Sequence, residues 1–293
     1  MTEDAKGTLY LCATPIGNLE DITLRVLRIL REVDLIAAED TRHTRKLLSH
    51  FQIHTPLTSY HQHNCKKKAE HLLSLLSAGR NIALVSDAGM PGVSDPGVEL
   101  VAEAVKNGCA VIAAPGPSAA VTALVVSGLP AGTYVFAGFL PAAKKARTEK
   151  LKELSRQQWT MIFYEAPHRM KETLAILLKA FGNRRAAAAR ELTKLHEEVI
   201  RGSLEELVDH FNTVEPRGEF TLVVAGASPE GTLPEQEIAW RHIGAAVHVS
   251  MLEAEGMERK KAVQEVARQR GLPKRDVYRL VVEDKKSKEI KKK

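Results

Sequence analysis

The chain has 293 residues, of which 44% are apolar, 27% charged and 5% aromatic, enough length and apolar content for two ordinary domains. That composition excludes intrinsic disorder, collagen-like repeats and a disulfide scaffold. Nearly all of the net charge of +6 lies on the last fifth of the chain, where residues 231–293 hold 15 Lys+Arg against 10 Asp+Glu, a basic appendage suited to a polyanion such as nucleic acid. Cys12, Cys65 and Cys109 lie far apart with no C-x-x-C spacing, so no zinc knuckle or disulfide framework is expected and a reducing compartment fits. The opening MTEDAKGTLYL lacks the layout of a secretion signal. Asn107–Ala143 carries no charge, but Pro115, Pro117, Pro130 and five glycines interrupt it, so no run of about 20 helical apolar residues survives. The expectation is a cytoplasmic protein without a membrane segment.

In chain order, Thr8–Thr14 reads as a buried strand followed by helical spacing through Leu24, Leu27 and Leu30. Asp34–Asp40 is a second strand, leading into a helix through Leu47 and Leu48. Lys66–Ala78 is a further helix and Asn81–Asp87 a third strand. In Asp95-Pro96-Gly97 and the helix that follows, Asp95 is placed to cap and Gly108 to end the helix. Ala110–Ala114 is a strand, followed by PGPS and a helix of small residues ending near Gly128. Alternating strands and helices with near-continuous apolar strands predict an α/β domain, a mainly parallel sheet with helices on both faces.

A second set of strands follows, at Tyr134–Leu140, Trp159–Glu165, Arg184–Leu192, Glu197–Ser203 and Glu219–Ala225, with helices at 144–157, 167–181 and 204–212. The strands around Ala188 and Val199 follow each other closely, so this second α/β domain has a mixed sheet with an antiparallel pair. Domains are expected at 1–128 and 129–228, with a basic helical C-terminal unit at 229–293. In that unit Val263, Val266 and Ala267 share a helical face. A Gly271-Leu272-Pro273 turn leads to Val277, Leu280 and Val281, with Lys274, Arg275 and Arg279 alongside, a helix-turn-helix-like pattern suited to phosphate contacts.

Three loops at strand ends are rich in Gly, Pro, Ser and Asp: 13–19, 86–95 and 114–120. Glycine lets backbone approach a ligand and proline lowers the entropy lost on binding, so together they point to a ligand cleft. None matches the dinucleotide or P-loop fingerprint. Asp87 can accept from an amino group or a ribose hydroxyl, and Ser118 with the amides behind it can hold an oxyanion at a helix start. Glu39, Asp40, Arg42 and His43 cluster at one strand end, and Glu165, His168 and Arg169 at another. Glu39, Asp40, His43 and Glu165 are the candidates to take a proton, and Arg42 and Arg169 to bind phosphate. The alternative is that Glu39 and Asp40 cap the next helix and pair with Arg42 or Arg45. His61 and His63 have metal-like spacing but no acidic or cysteine partner nearby, so no metal is expected.

ATPIGNLEDIT (13–23), AAEDTRHTRKLL (37–48), LVSDAGMPGVSDPG (84–97), PGPSAA (115–120), FAGFLP (136–141) and FYEAPHR (163–169) together resemble one family closely. It is the ribosomal RNA small subunit methyltransferase I group, within the tetrapyrrole-methylase-like fold of S-adenosyl-L-methionine enzymes. The resemblance implies methyl transfer to the ribose 2′-hydroxyl of a cytidine in the decoding region of 16S rRNA, on naked RNA or the small ribosomal subunit. It also implies a homodimer with the cofactor in the cleft between the two α/β domains. By the same resemblance Pro15, Gly17, Asp87, Ala88, Gly89, Met90, Ser118, Ala119, Phe163 and Leu192 line the cofactor. Arg42, His168 and Arg169, with Lys274, Arg275 and Arg279 of the tail, face RNA. Tetrapyrrole members of the fold carry G-x-G-x-G-D after the first strand, whereas this chain has Pro15-Ile16-Gly17-Asn18, which argues against a porphyrinoid substrate. The rival readings are a tetrapyrrole-like small-molecule methyltransferase and a nucleic-acid-binding regulator with a ligand-sensing body.

Overall fold

The computed structural model describes residues 6–61, 64–95, 97–227, 244–254, 256–270 and 272–290. By its contacts the chain divides into two units, Met1–Gly231 and Thr232–Lys293. In the first unit, β1 (Thr8–Cys12), β2 (Leu35–Ala38), β3 (Leu57–Ser59), β4 (Ile82–Val85) and β5 (Ala110–Ala114) form a sheet in the order β3-β2-β4-β1-β5. Every pairing in it is parallel. The connections carry α1 (Leu24–Glu32), α2 (Thr41–His50), α3 (Cys65–Ser77) and α4 (Val98–Lys106).

Side-chain alternation sorts this sheet into two faces. Cys12, Ile36, Ala38, Ala83 and Val85 pack with Val26, Ile29 and Leu30 of α1 and Leu47 and Leu48 of α2. Leu9, Ala37, Ile82 and Leu84 point the other way, onto Leu72 and Leu76 of α3 and Leu100 and Ala104 of α4. Thr23 caps α1 by accepting the Val26 N–H at 3.2 Å. The sheet has one strand more than the sequence pattern predicts, because β3 is only three residues long and sits at the edge directly after Pro56.

The second sheet comprises β6 (Tyr134–Phe139), β7 (Thr160–Glu165), β8 (Arg185–Arg190), β9 (Glu198–Ser203) and β10 (Phe220–Val224), in the order β6-β7-β10-β8-β9. It is mixed as expected: β6–β7 is parallel and the other three pairings are antiparallel, including β8 with β9. One face packs on α6 (Lys144–Leu154), α7 (Pro167–Phe181) and α8 (Leu204–Thr213) through Leu151, Leu154, Leu174, Leu177, Leu207 and Phe211. The opposite face is covered by α5 (Ala119–Ser127), whose Ala120, Ala123 and Leu124 meet Ile162, Ala189 and Val223. So α5, on the N-terminal side of the expected 128/129 boundary, packs on the second sheet.

The second unit contains α9 (Ala245–Ala254), α10 (Arg259–Arg270) and α11 (Lys274–Ile290). Ala245, Val249, Val263, Val266, Ala267, Val277 and Val281 form its core. The positions expected at helical spacing are therefore the ones buried, apart from Leu280, which is exposed. Gly271 of the expected turn lies outside the described residues. Among the described residues no helix is long and apolar enough to cross a membrane.

Candidate active site

Open parallel sheets bind ligands beyond the carboxyl ends of their strands, and the loops after β1, β2, β4 and β5 meet there. Thr14 and Gly89 clip two of them together, Thr14 N–H donating to the Gly89 carbonyl at 2.9 Å and Gly89 N–H to the Thr14 carbonyl at 3.0 Å. The Thr14 hydroxyl donates to the Ser86 carbonyl at 3.1 Å. Gly89 takes φ +80°, a conformation that strains any side chain.

These loops and the second sheet enclose a cavity of about 440 Å³. Five carboxylates line it: Glu39, Asp87 and Asp95 from the first sheet's loops, and Glu165 and Glu219 from the second. Burial first, and the Asp87 carboxylate second, raise the Glu39 carboxyl above its ordinary range. Asp95 is pushed up to about 6 by burial and then by Glu39, against a hydrogen bond from the Ser86 hydroxyl. Asp87 Oδ1 also accepts the Asp40 N–H at 3.0 Å. The start of α5 reaches the same cavity, where Ser118 is its N-cap but makes no side-chain cap bond. The first amides of that helix present partial positive charge. Ile16, Met90 and Leu192 supply apolar wall. The Phe139 ring, 55% exposed, stands edge-on to Tyr164 at 5.7 Å.

Asp87, Ala88, Gly89, Met90, Ser118, Ala119 and Leu192 thus gather around one cavity with Glu39 and Glu165. Pro15, Gly17 and His43 instead line an adjoining groove of about 640 Å³, which shares Ile16, Asp87, Ala88 and Glu219 with the cavity. A Cβ on Gly17 would run into the Lys194 side chain, which pairs with Glu191 at 3.0 Å and Glu219 at 2.8 Å. Phe163, expected at the cofactor, instead lies in the core against α6, α7 and α8, and its neighbour Tyr164 lines the cavity. The period-2 alternation of β7 separates the two.

Asp40 caps α2, accepting the Arg42 N–H at 2.8 Å and pairing with its guanidinium at 3.1 Å. Its hydrogen bonds from Arg42 hold the carboxyl below its ordinary range. Glu165 is almost fully buried, accepting the Thr173 hydroxyl at 2.6 Å and the Ala166 N–H at 2.9 Å. Arg169 sits 3.5 Å from it and donates to the Leu140 carbonyl at 3.1 Å, so both groups are tied into the fold, while His168 is exposed. Asp95 does not cap α4: the N-cap is Gly97, and Asp95 turns into the cavity. In the second unit Lys274, Arg275 and Arg279 are exposed, with Arg279 3.5 Å from Asp276. Among the described residues no group of His, Cys, Asp and Glu is arranged to hold a metal ion, and His63 lies outside them.

Two α/β sheets sharing a cleft at their loop ends define the class of protein. The sequence model of a family described as Tetrapyrrole (Corrin/Porphyrin) Methylases matches residues 8–208. The same fold occurs in a solved structure of uroporphyrin-III C-methyl transferase from Thermus thermophilus complexed with S-adenyl homocysteine. That chain is 19% identical, with a TM-score of 0.52 over 75% of this chain and 97% of that one. Ribosomal RNA small subunit methyltransferase I of Halalkalibacterium halodurans is 53% identical over 94% of this chain and 95% of its own length. The protein of that name from Thermotoga maritima is 48% identical over 220 residues, 75% of this chain and 99% of its own. The chain belongs to the ribosomal RNA small subunit methyltransferase I family.

Proposed function

We propose that the protein uses S-adenosyl-L-methionine to methylate the ribose 2′-hydroxyl of a cytidine in the decoding region of 16S rRNA, acting in the cytoplasm as a homodimer. The observation that carries the cofactor reading is the mixed polarity of the 440 Å³ cavity. It combines five lining carboxylates, of which Glu165 and Glu219 are engaged by neighbouring side chains, with a helix start whose N-cap makes no side-chain bond and with apolar walls, and so suits a molecule with two cationic centres, one carboxylate and an aromatic base. The amides at Ala119 and beyond, with the Ser118 hydroxyl, would hold the carboxylate. Glu39, Asp87 and Asp95 would face the ammonium and sulfonium. Ile16, Met90 and Leu192 would enclose the adenine, with the Phe139 ring at its edge. When bound, the cofactor supplies a methyl group on a positively charged sulfur for in-line displacement. The chain's share of the rate is alignment, worth about 7–11 kcal/mol where fully realised. Glu39 or Asp95, on the cavity wall, would take the ribose proton: a cationic donor keeps both ionised, and once that charge is lost on transfer the burial of each carboxyl favours its holding the proton. Both oxygens of Glu165 are engaged by Thr173 and Ala166, which suits a positioning role.

The test is transfer of labelled methyl to small ribosomal subunits lacking the modification, with the ribose mapped by its resistance to alkaline cleavage. Label on a base, or on porphyrinoids instead of RNA, would overturn the reading.

Asp95 gives this site a pH dependence. Its proton is held more tightly in the fold than in the unfolded chain, so this carboxyl weakens the unliganded fold as pH rises from 3.8 to about 6. A bound cation favours the ionised form, so cofactor affinity is expected to fall below about pH 6 by up to about tenfold per unit. Calorimetry across pH 5–8 on the protein and on Asp95→Asn should show that dependence reduced in the variant.

The dimer reading rests on an apolar face. The helix α5 has no charged residue, yet Val121 is 45% and Val125 69% exposed. Ile112 on the edge strand β5 and Val98 and Val105 on α4 are exposed as well. A helix apolar all round is normally buried, and a second copy of the chain would cover this one. Val125→Asp is expected to convert the dimer to monomer in sedimentation velocity.

A further inference from the structure

The groove beside the cavity carries a charge pattern that methyl-donor binding does not use. Along α2, His43, Lys46, Leu47 and His50 stand at i, i+3, i+4 and i+7 and line it together. Leu47 is buried, while His43, Lys46 and His50 are exposed. The helix contains no acidic residue, and Lys46 has no ion-pair partner among the described residues. Of the two carboxylates on the groove, Glu219 is paired with Lys194 at 2.8 Å and Asp87 accepts the Asp40 N–H. Neither carboxylate forms an ion pair with Lys46 among the described residues, and Asp87 stands at the boundary with the cavity, whose wall it also lines. The floor at Ile16, Asp87 and Ala88 is also the wall of the cavity, so a strand lying in the groove has a sugar within reach of the site that would hold the methyl donor.

We propose that this groove is the subsite for the backbone phosphates of the RNA strand that delivers the target ribose, with Lys46 as its fixed charge and His43 and His50 as hydrogen-bond donors on either side. The proposal rests on the RNA-methylating reading and adds to it where the strand lies. Binding and chemistry are measured separately. Titration of the full-length protein with a 20-nucleotide single-stranded RNA reads the groove, and methyl transfer to small subunits reads the function. Lys46→Ala is expected to weaken RNA binding several-fold and to reduce the slope of log affinity against log salt by about 1. The double variant His43→Ala/His50→Ala should also weaken binding. Both variants should bind S-adenosylmethionine as the parent does. Weakened RNA binding in a protein that does not methylate subunits would keep the groove and remove the reading. Unchanged RNA affinity and salt slope in both variants would overturn the groove, whatever the transfer assay shows.

Discussion

Asp87→Ala is expected to lower affinity for S-adenosylmethionine by about thirtyfold or more while the protein stays folded. Asp87 lines both the cavity and the groove, and removing one partner of a desolvated charge pair costs about 2–5 kcal/mol. The variant also frees the Asp40 N–H, now bonded at 3.0 Å, a local loss of about 1 kcal/mol that leaves the two sheets intact. Isothermal calorimetry reads the affinity and urea unfolding the stability, and affinity equal to the parent's would remove Asp87 from the cofactor site. Ser118→Phe is the companion variant, because it fills space rather than removing charge.

Deleting residues 231–293 is expected to raise the KM for small subunits well beyond tenfold at physiological salt, with cofactor affinity retained. The deleted segment carries almost all of the net positive charge, and its exposed Lys274, Arg275 and Arg279 suit phosphate contacts, each of which steepens the salt dependence. The family model ends at residue 208, and the Thermotoga maritima relative is matched over 99% of its length by 220 residues of this chain. A body of that size is a whole family member elsewhere, so the truncated chain should still fold and transfer methyl groups at high substrate concentration. The test is KM at several salt concentrations for both forms. Equal KM and equal salt slopes would make the tail irrelevant to substrate capture.

Much of this site was legible in the residues because ligand loops at parallel strand ends need Gly and Pro, and 13–19, 86–95 and 114–120 advertise both. Pairing within the second sheet was legible as well, since β8 and β9 are joined by a short connection. What escaped depended on distant parts of the chain. Phe139 reaches the cavity from β6, and no local pattern says that β6 faces the loops of the other sheet. Asp95 precedes Pro and Gly at a helix start and so reads as a cap, but the helix begins at Val98 with Gly97 in the capping place. Phe163 and Tyr164 are both aromatic and adjacent, and only the register of β7 against β10 decides which one faces inward. Asp40 served the plainer of its two readings: it is a helix cap.

Gly17, in a loop of the first sheet, packs directly against the Lys194 side chain from the second, so a side chain at 17 would push the lysine away from its two carboxylate partners. Gly17 does not need glycine for its backbone angle, so the cost of a substitution there would fall on that ion-pair cluster rather than on local torsion.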